Sequence, residues 1–133
     1  MELLSYERKV IMRKYGNKKV TVDGYKFDSK MEADFYYRLK ILLFKKEILE
    51  FEVHPRFILQ PAFVFRGKKV QAITYTSDFK VVYPNGEIHY IDIKGAKTNE
   101  FKIKEKMFKN LMKNEPNIDI YCLTLHKETW VKI

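Results

Sequence analysis

The turn Pro84-Asn85-Gly86, set between the runs "YTSDFKVVY" and "EIHYIDIKG", constrains this chain more than any other segment. Both runs read as β-strands, so the turn between them decides which residues stand opposite each other. A two-residue Asn85-Gly86 loop would set Asp78 opposite Ile93, on the wrong face. A three-residue loop sets Asp78 opposite Asp92. Proline suits the first position of a type I turn, asparagine the next, and glycine the left-handed residue that follows. The three-residue loop is therefore expected, with the two aspartates facing each other about 5 Å apart at Cα.

Side chains two apart on a strand share a face, so Asp92 and Lys94 of "YIDIKG" project together. Two bare carboxylates in that arrangement repel. A divalent cation between them removes the conflict, because hard cations take carboxylate oxygens together with substrate phosphate. Glu32 is the candidate third acid, on the border of the apolar stripe of a helix. Its ordinary role is the capping-box partner of Ser29. Lys94 has ordinary roles too, as an ion-pair partner of Asp92 or a snorkelling strand-end residue. An Asp-x-Lys pattern alone is weak. It gains weight from the earlier acid, the intervening hairpin, the basic helix that follows and the helical acid upstream.

The remaining segments supply a frame. "KVTVDGYKF" (19–27) alternates around Asp23-Gly24, a hairpin signal. Residues 28–48 form the clearest helix, with Met31, Phe35, Leu39 and Leu42 at helical spacing and Ser29 as N-cap. "FEVHPRFILQPAFVF" (51–65) is strand-rich but broken by Pro55 and Pro61. Residues 99–114 form a helix with Phe101, Glu105, Phe108 and Leu111/Met112 on one side. Residues 118–125 form an apolar strand. Strand 88–94, helix 100–113 and strand 118–125 make a βαβ unit, whose strands pair in parallel through a right-handed crossover. The expected class is α/β or α+β around one mixed sheet, a single domain over 1–133, with 1–15 as a basic arm or helix.

Lysine and arginine total 26 against 17 acids, a net charge of +9, which points to a polyanion and first of all to nucleic acid. Lysines 97, 102, 104 and 106 follow the acidic pair and are candidate DNA-backbone contacts, beside a helix N-terminus of the same kind. No apolar run approaches the ~20 residues that cross a bilayer, and the N-terminal stretch lacks signal-peptide features. Cys122 is the single cysteine, so neither an internal disulfide nor a CxxC zinc site is available to it. A cytoplasmic location is expected.

Other residues draw plainer expectations. His54, His89 and His126 have no acid or cysteine at ligand spacing, and His89 falls on the face opposite Asp92. Tyr36, Tyr37, Phe63 and Phe65 are expected in the core rather than as base-stacking platforms. Trp130 is expected to cap the core or sit in a subunit interface.

The string "GYKFDSKMEADFYYRLK", "QPAFVF", "YTSDFKV", "IDIKGAKT", "FKIKEKMF" resembles short phage and prophage nucleases of the PD-(D/E)xK superfamily, related to phage-type endonuclease I. "SDF" (77–79) stands for the first half of the motif, with Ser77 in place of its proline, and "DIK" (92–94) for the second. The resemblance implies a restriction-endonuclease-like core of helix, three-strand meander, helix and strand. It also implies a Mg²⁺-dependent endonuclease, with Mn²⁺ as a substitute. Asp78, Asp92, Glu32 and the Ile93 carbonyl would then ligate metal, and Lys94 would orient the attacking water. Branched or junction DNA is the implied substrate. A homodimer is the expected assembly, since two-strand cleavage needs two sites. The competing readings are a non-catalytic basic DNA-binding module and a sequence-specific restriction-type nuclease. RNA is disfavoured by the lack of an RNP-like aromatic motif.

Overall fold

A computed structural model of the chain describes residues 18–133, so the expected arm at 1–15 lies outside the described residues. Strands β1 (Val20–Val22) and β2 (Tyr25–Phe27) form the expected small hairpin. Asp23 and Gly24 both adopt left-handed φ, 51° and 83°, the conformation that favours Asp-Gly in two-residue loops. Helix α1 (Lys30–Phe44) follows, and Ser29 caps it by accepting the Glu32 N–H at 3.1 Å. The helix ends before the expected residue 48. Lys46 takes a left-handed φ of 62°, its N–H donates to Leu43 O, and the Glu47 N–H donates to Leu42 O. These two bonds close the last turn and satisfy carbonyls the helix would otherwise leave bare.

Strand β3 (Glu50–Val53) comes next, then β4 (Arg56–Gln60), β5 (Phe63–Phe65), β6 (Lys68–Val70) and β7 (Ile73–Thr76). β8 (Phe79–Val82), β9 (Ile88–Ile93), α2 (Asn99–Met112), β10 (Ile118–His126) and β11 (Thr129–Lys132) complete the chain. The protein is α+β, with two described helices and a five-stranded mixed sheet in the order β11-β10-β9-β8-β3. β8 pairs antiparallel with both β3 and β9, and β9 pairs in parallel with β10 across α2, as the βαβ pattern implies. Two features go beyond the sequence expectation. β11 returns antiparallel along β10 as an extra edge strand. Between β3 and β8 the chain leaves the sheet as a two-stranded ribbon, in which β4 pairs with β7 and β5 with β6.

The decisive turn has three residues. β8 and β9 pair Phe79 with Ile91 and Val82 with Ile88. The Tyr83 N–H donates to Glu87 O, the Gly86 N–H to Tyr83 O, and Gly86 has a φ of 90°. That left-handed residue is the one the bulged turn requires. Continuing this register brings Asp78 opposite Asp92.

The two faces of the sheet bury different cores. Phe79, Val81, Ile91 and Ile93 join Phe27, Phe35 and Leu39 in the core beneath α1. Tyr90 joins Phe101, Phe108, Tyr75 and Cys122 in the core beneath α2. The alternation along β9 is the strand period expressed as packing. Tyr36 and Tyr37 are buried as expected, and Trp130 caps the α1 core with its ring edge-to-face on Phe35 at 5.0 Å.

Phe63 and Phe65 are not in the core: they are 44% and 59% exposed. The reason is that β5 and β6 pair only with each other among the described strands, so no described layer covers them. Leu111 is likewise half exposed, while its neighbour Met112 packs against the core beneath α2. No described helix is long and apolar enough to cross a membrane.

Candidate active site

Four segment ends meet at one margin of the sheet. Asp78 precedes β8, Lys94 follows β9, His54 follows β3, and Glu32 lies in the first turn of α1. Asp78 and Asp92 are tied together by backbone N–H groups that donate to their carboxylates, while the two carboxylates face different neighbours. The Asp78 N–H donates to Asp92 Oδ1 at 3.0 Å, and the Ile93 N–H donates to Asp78 Oδ2 at 2.8 Å. Asp92 Oδ2 also accepts the Tyr75 hydroxyl. Ile93 thus engages an acid with its N–H, whereas its carbonyl is the ligand the resemblance implies.

The tightest set of potential metal ligands is Glu32, His54 and Asp78, whose nearest donor atoms all lie within 4.8 Å of one another. The sequence offers no acid partner for His54, and the fold supplies two. The His54 N–H donates to Asp78 O at 2.9 Å, extending the β3–β8 pairing one step past Val53 and Phe79. No sequence spacing reveals this, because the partner of an edge strand is a non-local choice. Among the described residues Asp92 joins no such set. Its carboxylate faces Tyr75 on the α2 side, on a strand position paired with Cys122.

Glu32 departs from the simple capping box. Its Oε2 accepts the Asp28 N–H at 3.3 Å, one residue before the cap, and the side chain is only 6% exposed. Burial, together with the Asp78 charge, pushes its carboxyl up to about 8. Burial also raises Asp92 to about 6, against the pull of Lys94 and the Asp78 N–H. Asp78 is raised by burial as well, with the Ile93 N–H, Lys94 and His54 partly offsetting it. Glu32 and Asp78, two buried carboxyls that resist ionisation beside His54, form a site a cation would stabilise, with Asp92 outside that set. Two carboxylates and an imidazole suit a divalent metal such as Mn²⁺ or Mg²⁺, the nitrogen donor favouring the transition metal.

Lys94 is half-buried, with Nζ 4.5 Å from the Phe101 ring centroid. Its charge lowers the pKa of Glu32, Asp78 and Asp92 alike. Beside it opens a cavity of about 230 Å³ lined by Tyr75, Thr76, Lys94, Thr98, Phe101 and Lys104, among others. Thr98 caps α2 there by accepting the Phe101 N–H.

The expected row of DNA-facing lysines divides. Lys97 pairs with the buried Glu105 at 3.3 Å and Lys104 with Glu100 at 3.6 Å, while Lys102 and Lys106 are exposed. Glu105 also accepts from Cys122 Sγ at 3.5 Å. Its charge, after burial, helps push the Cys122 thiol up to about 12.

The histidine can be tested directly. His54→Ala is expected to weaken Mn²⁺ binding about tenfold and Mg²⁺ binding much less, because imidazole suits the softer ion. Titration calorimetry at pH 7.5 reads both. Unchanged binding of both ions would show that the ring does not ligate.

A family model described as "Protein of unknown function (DUF1064)" matches residues 12–126. No curated protein and no solved structure matches the chain.

Proposed function

The chain belongs to the DUF1064 family, and we propose that it is a metal-dependent endonuclease acting on DNA, built on a restriction-endonuclease-like core. One observation carries this reading. Asp78, Asp92 and Lys94 meet at adjoining strand ends, with Glu32 and His54 closing a ligand set around Asp78. The element order supports it: a helix, three antiparallel strands, a helix and a parallel strand.

Glu32, His54 and Asp78 would hold the cation. When bound, such an ion lowers the pKa of water and draws negative charge from the phosphate. Asp92 positions Asp78 through the Asp78 N–H and is itself held by Tyr75. Lys94 steers the attacking water and stabilises the charge that builds on the phosphoryl oxygens. Water forms the new P–O bond, the bond to the leaving sugar oxygen breaks, and that oxygen leaves with a proton. The cavity lined by Lys94, Thr98, Lys104 and Glu100, the last paired with Lys104, has room for a phosphate beside the α2 N-terminus. Mg²⁺ is the cofactor the resemblance implies, and the imidazole makes Mn²⁺ at least as good a fit. Branched or junction DNA, processed by a homodimer, is the implied substrate.

A second reading has its own support. Asp78 and Asp92 accept backbone N–H groups across the β8–β9 boundary, a clamp that would serve a non-catalytic DNA-binding module equally well. Incubation of supercoiled plasmid, four-way junction, flap, linear duplex and single strand with Mg²⁺, Mn²⁺ or EDTA separates the two. Metal-dependent cleavage, strongest on branched DNA, is expected. Fixed cuts in linear duplex would indicate a restriction-type enzyme. Binding without cleavage of any substrate would leave the module.

A further inference from the structure

Residues 53–77 contain no aspartate or glutamate and carry Arg56, Arg66, Lys68 and Lys69. This stretch contains the ribbon of β4–β7, which leaves the sheet between β3 and β8. Its root is anchored: Phe57 packs on Phe108 with ring centroids 4.6 Å apart, and Tyr75 reaches Asp92. Its outer half is bare. Phe63, Val64 and Phe65 are consecutive and are 44%, 69% and 59% exposed, so among the described residues neither face of the strand is covered. Arg66 turns back over Phe65, with its guanidinium carbon 5.3 Å from the ring centroid.

A lone two-stranded hairpin is marginal in water, and contiguous exposed apolar surface marks an interaction site. We propose that this ribbon is a docking element for duplex DNA, lying in the major groove while its root presents the site to the backbone. The proposal rests on DNA being the partner in the reading above.

Three observations favour that occupant. The ribbon is basic and free of acids, so it complements a polyanion, whereas a second copy would bring like charges together. A two-stranded ribbon fits the major groove, where apolar side chains meet thymine methyl groups. Finally, the ribbon grows directly from the site: only Pro55 separates His54 from β4, and only Ser77 separates β7 from Asp78. A phosphate beside Lys94 would therefore lie against the root of the ribbon, whose Tyr75 and Thr76 line the same cavity.

Fluorescence anisotropy of a labelled duplex, in EDTA and over a range of salt, tests the proposal. R66A/K68A/K69A is expected to weaken binding about tenfold or more at 0.1 M salt. It also flattens the slope of log K against log salt by about 0.9 for each phosphate left unneutralised. F63S/F65S is expected to weaken binding with the slope unchanged. A triple variant matching the wild type in affinity and slope would overturn the proposal. So would a double variant that changes oligomeric state in sedimentation but not duplex affinity, an outcome that assigns the ribbon to a second copy.

If a variant melts early, a fluorophore on Val64→Cys in the otherwise native chain substitutes. Emission that shifts with duplex upholds the docking, and emission that does not shift refutes it. Ribbon-dependent binding by a protein that never cleaves would end the nuclease reading and leave the ribbon standing. Cleavage with ribbon-indifferent binding would do the reverse.

Discussion

Asp78→Asn is expected to lower divalent-dependent DNA cleavage by about a thousandfold or more, with duplex affinity in EDTA nearly unchanged. Asp78 is the one residue shared by the Glu32–His54 ligand set and the hydrogen bonds to Asp92 and Ile93. Asparagine keeps an oxygen to accept the Ile93 N–H and keeps the backbone donor to Asp92. The fold therefore survives while the charge that would hold the cation is lost. Asp92→Ala and Lys94→Ala are expected to abolish the proposed cleavage too, one by releasing Asp78 and the other by removing the ammonium whose charge acts on all three acids. Plasmid-nicking rates measure each. Undiminished cleavage by purified Asp78→Asn would end the nuclease reading.

The second large effect is on stability. Burial and the Asp78 charge raise Glu32 to about 8 in the folded protein, against an ordinary 4.5. Between those values the folded chain holds a proton that the unfolded chain has released. Stability is therefore full below the lower value and falls as pH rises through the upper one. Asp92, raised to about 6, adds to the loss in the lower part of that window. Metal-free wild type is expected to be less stable at pH 8 than at pH 5 by a few kcal/mol, an order-of-magnitude figure from the linkage relation. Glu32→Gln should remove most of that slope and melt higher than the wild type at pH 8. Mn²⁺ should restore the wild type at pH 8, because a ligand that binds only the folded state stabilises it by mass action. Thermal melts from pH 4.5 to 8.5 decide the matter. Identical slopes for the two proteins would mean that Glu32 is not the buried acid responsible.

Much of this frame is legible in the sequence because local signals carry it. Pro84-Asn85-Gly86 reports its own turn type, and the turn type sets the register that brings Asp78 to Asp92. Ser29, the apolar stripe of α1 and the βαβ spacing are equally local. The misses are long-range. His54 reaches the site only because β3 takes the free edge of β8, a pairing that no periodicity encodes. Phe63 and Phe65 read as core because strand-like hydrophobicity is silent about whether a layer will cover it. The division of the lysines depends on Glu105, buried on α2, claiming Lys97.

The three-residue turn has a consequence at a distance. It sits at the opposite end of β8 and β9 from the acids, touches no candidate ligand, and yet governs which groups converge. Losing or gaining one residue there would slide the two strands past each other and rotate the chemistry out of alignment, however intact every participating side chain. Length at that tip, more than the identity of any surface residue, is what a working descendant of this protein must preserve.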